Sequence, residues 1–330
     1  MINIEKTALI GAGIIGKVHA QNMANLGMPF TAICDIDEAR AITLAGETSP
    51  DALIYKDYKA MIDELRPTSV HICTPHYLHK EMIIYALEQD VNVLCEKPLC
   101  ISREEIDEII AAEERSNAIL GVCLQNRYLA SNIFAKEYIA DKKIAAAHGS
   151  VVWQRGADYY RSEDWRGKKA TEGGGVLINQ AIHTLDLLRW LCGDPTEVLA
   201  RTDNLSLRGE IEVEDTVSAF FTGDIPFSIY ATNAGFTNIP ISIEFKTASK
   251  DTLLLLPDSF SVNGETLFTA KKESFAGKAY YGGGHGLLFA DFYDCIKNSR
   301  HFPIDGKEAA KVIRLVLSVY ESNGERIEIR

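Results

Sequence analysis

The feature that most narrows what this chain can fold into is a glycine pattern close to its start. Residues 6–16 read KTALIGAGIIG: an apolar run, then Gly11, Gly13 and Gly16 in the spacing GxGxxG, with a helical pattern over 15–27. Glycines at this spacing alone make a turn. Between a strand and a helix, with an acid ending the next strand, they form the arrangement that binds a dinucleotide. The next apolar run, FTAICD at 30–35, ends in Asp35. Gly11 allows the tight turn, Gly13 the close approach of a pyrophosphate, and Gly16 close packing of helix on strand. The helix start at Ile14, Ile15 and Gly16 offers N–H groups and a positive dipole end to phosphates. Asp35 can accept from both adenosine ribose hydroxyls and would repel a 2′-phosphate, and Ile36 and Asp37 bring no cation. The expectation is NAD in preference to NADP.

Further strands are expected at SVHICT (69–74), NVLCEK (92–97) and ILGVCL (119–124), continuously apolar as strands buried on both faces should be. Helical patterns lie between them at 37–46, 57–65, 78–89 and 102–116, the last opened by a capping box of Ser102 and Glu105. Such alternation predicts an α/β fold, a doubly wound parallel sheet over 1–124. From 125 to 330 the pattern changes. A helix near 129–142 and a strand near 147–155 precede alternating segments at 197–202, 215–222, 227–233, 241–247 and 251–256, which predict an α+β domain with a mostly antiparallel sheet. Helices at 286–298 and 306–321 and a short tail, RIEI, close the chain, the last helix being able to pack back on the first domain. The two domains are expected to pack closely, with a cleft between them.

Composition excludes some partners. A net charge of −12 and a pI of about 5.2 argue against a general nucleic-acid or anionic-membrane surface. The seven cysteines are odd in number, lack a CxxC pair and sit in apolar runs, which suits free thiols in a reducing cytoplasm. Neither a signal peptide nor an apolar run long enough to span a bilayer is apparent, so a cytoplasmic protein is expected.

Two stretches carry candidate chemistry. Glu96-Lys97-Pro98 ends a strand, and ligands of a doubly wound sheet bind at the carboxyl ends of its strands. Lys97 is therefore placed to reach a substrate, and the proline permits a cis peptide. Thr74-Pro75 ends another strand of that layer, with His79 just beyond. GGGVLINQAIHTLDLLRWLCG, residues 173–193, is a helix entered through three glycines. At about 100° per residue, Asn179, His183 and Asp186 share one face of it.

GAGIIG, Asp35, CTPHYLH (73–79), CEKPL (95–99) and GGGVLINQAIHTLDLL together resemble the glucose–fructose oxidoreductase/inositol dehydrogenase/MocA family, over essentially the whole chain and including DFYDCI at 291–296. The resemblance implies a Rossmann domain and a C-terminal domain whose open sheet forms a homodimer or homotetramer interface. It implies NAD(P)-dependent oxidation or reduction of sugars, inositols and related polyols. Lys97 then lies beside the nicotinamide and the reacting hydroxyl, and His183 is the proton carrier. Inositol dehydrogenase-like members carry Asp four residues before that His. Here the residue is Asn179, which can hold a hydroxyl but cannot titrate, so a Lys97–His183 pair is expected in place of a Lys–Asp–His triad. His183 suits the base and Lys97 the stabiliser of alkoxide charge, or the reverse. Asp186 either orients the ring of His183 or forms a salt bridge.

The expected cofactor contacts are Gly11, Gly13, Ile14, Ile15, Gly16, Asp35, Thr74, Pro75, His79, Glu96, Lys97 and Gln125. Substrate contacts are expected from Lys97, Arg127, Tyr160, Trp165, Arg166, Asn179 and His183, because a carbohydrate site needs polar groups and flat aromatics. His285, in GGGH at 282–285, reaches the same cleft or caps a helix. His71, His76 and His79 recur closely, but no Cys or carboxylate completes a zinc pattern, so no metal is expected. The alternatives are an NAD-dependent glycoside-cleaving enzyme, working by transient oxidation and elimination, and a non-catalytic nucleotide-sensing regulator on the same fold.

Overall fold

A computed structural model describes residues 6–271 and 283–330. The chain divides into two compact units. The first is the described part of Met1–Gln125 with Ser274–Ala310; the second is the described part of Asn126–Glu273 with Lys311–Arg330.

In the first unit, β1 (Thr7–Ile10), α1 (Ile14–Asn25), β2 (Ala32–Cys34), α2 (Glu38–Thr48), β3 (Leu53–Tyr55), α3 (Tyr58–Leu65), β4 (Ser69–Ile72), α4 (His79–Glu88), β5 (Asn92–Cys95), α5 (Arg103–Arg115) and β6 (Leu120–Val122) alternate. The strands form one parallel sheet in the order β3-β2-β1-β4-β5-β6. This is the doubly wound order, with its reversal at β1/β4. β1 and β4 are buried along their whole length; β1 is apolar from Ala8 to Ile10, while β4 sets polar Ser69 and His71 between apolar Val70 and Ile72. Ser102 caps α5 by accepting from Glu105 N, and the Glu105 carboxylate returns to Ile101 N. Asp37 and Asp57 cap α2 and α3 by accepting from Ala39 N and Lys59 N. β3 was not expected: it is an edge strand of three residues whose Leu53 is exposed.

The second unit holds α6 (Ala130–Ile139), β7 (Ile144–Val152), α7 (Ala157–Arg161), α8 (Lys169–Glu172), a π-helical turn (Leu177–Ala181) running into α9 (Ile182–Cys192), and β8 (Glu197–Asp203), β9 (Thr216–Thr222), β10 (Phe227–Thr232), β11 (Ser242–Thr247), β12 (Thr252–Leu256), β13 (Ser259–Val262) and β14 (Glu265–Thr269). β15 (Arg326–Glu328) completes a nine-stranded sheet in the order β14-β13-β12-β11-β7-β10-β9-β8-β15. Every pair is antiparallel except β7 with β10. α9 lies on β7 over Gly149, where a Cβ would meet Leu188 Cδ1 at 2.8 Å. The expected strands are present, and β13, β14 and β15 extend the sheet. Asn263-Gly264, both at positive φ, turns β13 into β14; an Asn-Gly pair is the signal that could have revealed this hairpin.

Two helices close the chain, α10 (Gly284–Asn298) and α11 (Gly306–Ser322). Residues 284–298 were expected in the second domain. In the structure α10 packs on α1 within the first unit. Phe292 of α10 and Phe302 just beyond it close over Gly121 of β6, where a Cβ would lie 3.0 Å and 2.9 Å from their rings. Among the described residues no helix is long and apolar enough to cross a membrane. All seven cysteines are buried and none forms a disulfide.

Candidate functional site

The turn from β1 into α1 has the geometry its glycines imply. Gly11 has φ +96°, and a Cβ on it would fall 2.6 Å from the Cys73 carbonyl oxygen. A Cβ on Gly16 would fall 2.0 Å from the Gly11 oxygen, so helix and turn can approach only without one. Gly13 has open space where its Cβ would be, as a phosphate approaching the backbone requires. The Asp35 carboxylate is anchored over this turn: Oδ2 accepts from Ala12 N at 2.7 Å and Oδ1 from Asp37 N at 2.8 Å. The donor set fits a dinucleotide: α1 opens at Ile14, Ile15 and Gly16 with N–H groups that would serve phosphates, and the Asp35 carboxylate would serve a ribose.

Two further segments leave the same edge of the sheet, Thr74-Pro75 after β4 and Lys97-Pro98 after β5. The Lys97–Pro98 peptide is cis. His79 ties the two segments together. Its Nδ1 lies 2.7 Å from Pro98 O and its Nε2 2.9 Å from Thr74 O. Burial lowers its pKa, while the two carbonyls favour the charged ring. Its ring is spent on the protein, so its expected place at the cofactor becomes a bracing one. Lys97 is half-buried, and Gln125 is buried with its carbonyl pressed against Gly284, where a Cβ would fall 2.4 Å away.

Beneath Lys97 lies a polar network that the sequence reading did not anticipate. Glu96 Oε1 faces His19 Nε2 at 3.0 Å and His285 Nε2 at 3.2 Å, while Oε2 accepts from Lys97 N at 3.1 Å. Burial opposes ionisation of Glu96, but the hydrogen bonds from the two histidines win and hold its pKa well below the ordinary value. An ionised Glu96 fixes the tautomers beyond it. His19 donates from Nε2, so its Nδ1 accepts from His71 Nδ1 at 2.9 Å. His71 Nε2 then accepts from the Tyr293 hydroxyl at 2.9 Å, which accepts in turn from Ser69 Oγ at 3.0 Å. Burial lowers the pKa of His19 and carries that of His71 well down, as neutral rings in this chain require. His285, expected at a cleft or as a cap, belongs to this buried network; Gly282 of its GGGH motif lies outside the described residues. Glu96, expected at the cofactor, points its carboxylate inward. Ligand atoms of His19, Glu96 and Cys123 lie within 4.8 Å of one another, but the first two are already joined by a hydrogen bond.

In the second unit the polar stripe of the glycine-entered helix divides. Asp186 is 1% exposed and takes a two-pronged hydrogen bond from Arg127, Nε to Oδ2 at 2.7 Å and a terminal nitrogen to Oδ1 at 2.5 Å. Arg189 approaches at 4.0 Å. Asp186 thus forms a salt bridge, and it engages two guanidinium nitrogens of Arg127, a residue expected at the substrate. Asn179 and His183 are half-buried. Asn179 Nδ2 donates to Glu172 Oε1 at 2.5 Å, and a second Glu172 oxygen accepts from Gly167 N. Glu214 caps the start of this helix, accepting from Gly175 N and Leu177 N, and from the Tyr320 hydroxyl. Tyr160, also expected at the substrate, is buried with its hydroxyl accepting from Asn233 Nδ2 at 2.9 Å. Trp165 and Arg166 are half-buried; the Arg166 guanidinium lies 4.3 Å from the centre of the Tyr159 ring and donates to Ser162 Oγ at 2.7 Å.

The chain is similar to known proteins in both of its parts. The family model described as an oxidoreductase family with an NAD-binding Rossmann fold matches residues 6–124, and that of the GFO/IDH/MocA C-terminal domain matches residues 135–233. Levoglucosan dehydrogenase of Pseudarthrobacter phenanthrenivorans is 30% identical over 203 residues, covering 58% of this chain and 52% of that protein. Inositol 2-dehydrogenase of Rubrobacter xylanophilus is 27% identical over 194 residues, covering 57% of this chain and 52% of that one. The chain thus spans about half the length of these curated relatives. The WlbA dehydrogenase of Bordetella pertussis, solved in complex with NADH and UDP-GlcNAcA, is 26% identical and matches over 99% of both chains with a TM-score of 0.86.

The Arg127–Asp186 pair tests the division of the stripe. Removing one partner of a buried ion pair strands the other charge, so Asp186→Ala is expected to cost about 3–5 kcal/mol of folding stability. Urea unfolding followed by circular dichroism reads this; a loss below about 1 kcal/mol would show that the pair is not carrying its buried charges.

Proposed function

This chain belongs to the GFO/IDH/MocA family of oxidoreductases, with an NAD-binding Rossmann fold, and from that premise we propose that it is an NAD-dependent dehydrogenase acting on a hydroxyl of a sugar, an inositol or a related polyol. The observation that carries this reading is the position of Lys97. It follows β5 at the same edge of the parallel sheet as the glycine turn after β1, on a segment whose backbone N–H is held by buried Glu96. Ligands of such sheets bind at that edge. The names of the relatives support the substrate class, since levoglucosan, inositol and UDP-GlcNAcA all carry hydroxyls to oxidise.

NAD, when bound, supplies the hydride acceptor. His183 takes the hydroxyl proton, and Lys97 stabilises the negative charge that grows on the oxygen. Asn179 holds a substrate hydroxyl, and the half-buried Trp165 and Arg166 offer a flat ring and a cation to a sugar. Asp35 accepts from the ribose, which favours NAD over NADP. The buried cysteines, none of them in a disulfide, suit the reducing cytoplasm as its compartment. The second-unit sheet carries exposed Leu199, Phe220 and Tyr230 beside one another on β8, β9 and β10, and such a face is best covered by a second copy of the chain, giving a homodimer or homotetramer.

The testing experiment is a panel of sugars, inositols and their oxidised forms with NAD and NADP, read at the nicotinamide absorbance. His183→Ala and Lys97→Ala are each expected to lower turnover about 10²–10⁴-fold while NADH binding, read by fluorescence titration, persists; wild-type turnover in either variant removes that residue from the chemistry. Asp35→Ala is expected to lower the NAD/NADP ratio of kcat/KM about tenfold or more, the ratio lost with a charge-assisted hydrogen bond, and an unchanged ratio would count against the ribose contact. Light scattering on the wild-type protein should give a multiple of 36.5 kDa, and Phe220→Asp with Tyr230→Asp should give the monomer; a monomeric wild type overturns the assembly.

A further inference from the structure

Glu172 is a buried carboxylate to which the proposed reaction gives no role. It ends α8 and is 0% exposed. Its two oxygens receive N–H groups, Gly167 N on Oε2 and Asn179 Nδ2 on Oε1, both at 2.5 Å. The Asn179 nitrogen also lies 3.4 Å from the Tyr159 hydroxyl, which receives Gln180 Nε2 at 3.1 Å. Gln180 Oε1 accepts in turn from Asn233 Nδ2 at 3.2 Å. An amide side chain has two N–H donors on one branch and an acceptor oxygen on the other. With its nitrogen branch turned to Glu172 and Tyr159, Asn179 presents Oδ1 on the opposite branch. His183 follows one turn later on the same helix.

We propose that Glu172 is a positioning residue for proton transfer at His183. It holds Asn179 by its nitrogen, so that the residue offers an acceptor oxygen, rather than N–H groups, to a substrate hydroxyl or to the ring of His183. This rests on the reading of His183 as the proton carrier. An acceptor there steadies an imidazolium once His183 has taken a proton, and it orients a hydroxyl that must donate. Reversed, the same amide would present N–H groups and oppose both.

The arrangement is sensitive to the charge on Glu172. Ionised, the carboxylate accepts from Gly167 and Asn179 together. Protonated, the carboxyl carries one O–H donor; with Oε2 accepting from Gly167 N, a proton on Oε1 favours Asn179 turned with Oδ1 toward it. Burial pushes the Glu172 pKa up to about 7, the N–H groups of Gly167 and Asn179 oppose this, Glu214 raises it further and the Arg166 guanidinium lowers it. Tyr159 and Tyr160 from α7, and Tyr320 from α11, face the same carboxylate as neutral phenols with raised pKa values. The orientation of Asn179 therefore changes over the range in which Glu172 loses its proton, with the acceptor oxygen presented at the higher pH.

Exchanging the two groups tests this. In Glu172→Gln the new amide can accept from Gly167 N and donate to Asn179, which then turns over. In Asn179→Asp two carboxylates meet. With both substitutions the carboxylate stands at 179 and the amide at 172, and the acceptor is restored. The first readout needs no substrate: the titration of His183 in the whole protein, followed by NMR on ¹³C-labelled histidine, with the His183→Ala spectrum identifying its signal. Glu172→Gln is expected to move the His183 midpoint to lower pH, by on the order of half a unit, and adding Asn179→Asp to move it back or beyond. The second readout is the pH profile of turnover with NAD and the best substrate of the panel. Glu172→Gln should lower kcat about tenfold without changing KM for NAD, and the double variant should recover most of it. An unmoved His183 midpoint in Glu172→Gln overturns the proposal. So does a loss of activity that Asn179→Asp does not relieve, since a purely structural glutamate would behave that way. If His183→Ala keeps full turnover, the reading of His183 fails instead, while the titration still reports on the link from Glu172 through Asn179.

Discussion

The carboxylate of Glu96 is the contact on which the order of the first unit's site depends. A lone carboxylate in an apolar interior costs several kcal/mol, and only a full set of donors makes the charge tolerable. Here the donors come from parts of the chain far apart in sequence: His19 on α1, His285 on α10, and the N–H of Lys97 beside it. Satisfying one charge thus ties the helix that opens at the glycine turn, the segment that carries the proposed catalytic lysine, and a helix from the last fifth of the chain. The same charge orders the ring of His19 and, through it, His71, Tyr293 and Ser69. A hydrogen-bonded chain with one ionised end has a single consistent set of proton positions, and that uniqueness is what makes it a rigid floor for Lys97.

His79 does for the neighbouring segments what Glu96 does for the floor. It spans from the carbonyl of Thr74 to that of Pro98, so the ends of β4 and β5 are joined by one ring. In this way the edge of the parallel sheet is braced from below by a carboxylate and across by an imidazole. Neither residue needs to touch a ligand for its loss to move the lysine.

Legibility in the sequence tracked the range of the forces involved. The glycine turn, Asp35, the capping box of α5 and the fully buried strands rest on neighbours in sequence or on burial of whole segments, and these were readable. Leu53–Tyr55 was missed because an edge strand of three residues buries too little to leave an apolar run. The hairpin of β13 and β14 hid because exposed Glu265, Thr266 and Leu267 break the alternation, although its Asn-Gly turn was in plain view. α10 was grouped with the wrong unit because a helical pattern reports that one face is buried, not what buries it. Glu96 stood in a motif where position suggested the cofactor. Its inward direction depends on His19 and His285, which no local pattern links to it.

The helix of residues 173–193 carries the same lesson into the second unit. Period alone places Asn179, His183 and Asp186 on one face, and a shared face invites a shared task. Two things undo the inference. The helix begins with a π turn over Leu177–Ala181, which shifts the angle between Asn179 and the residues of α9, and such turns are frequent at functional sites. More important, the polar groups are sorted by partners that arrive from elsewhere. Arg127 claims Asp186 with two short bonds and buries it, so that its charge is neutralised and its oxygens are spent. Glu172 accepts from the nitrogen branch of half-buried Asn179, which sets the orientation of that amide. A charge that is fully paired becomes part of the scaffold. An amide held by its nitrogen branch is what the proposed role of Asn179 beside His183 calls for.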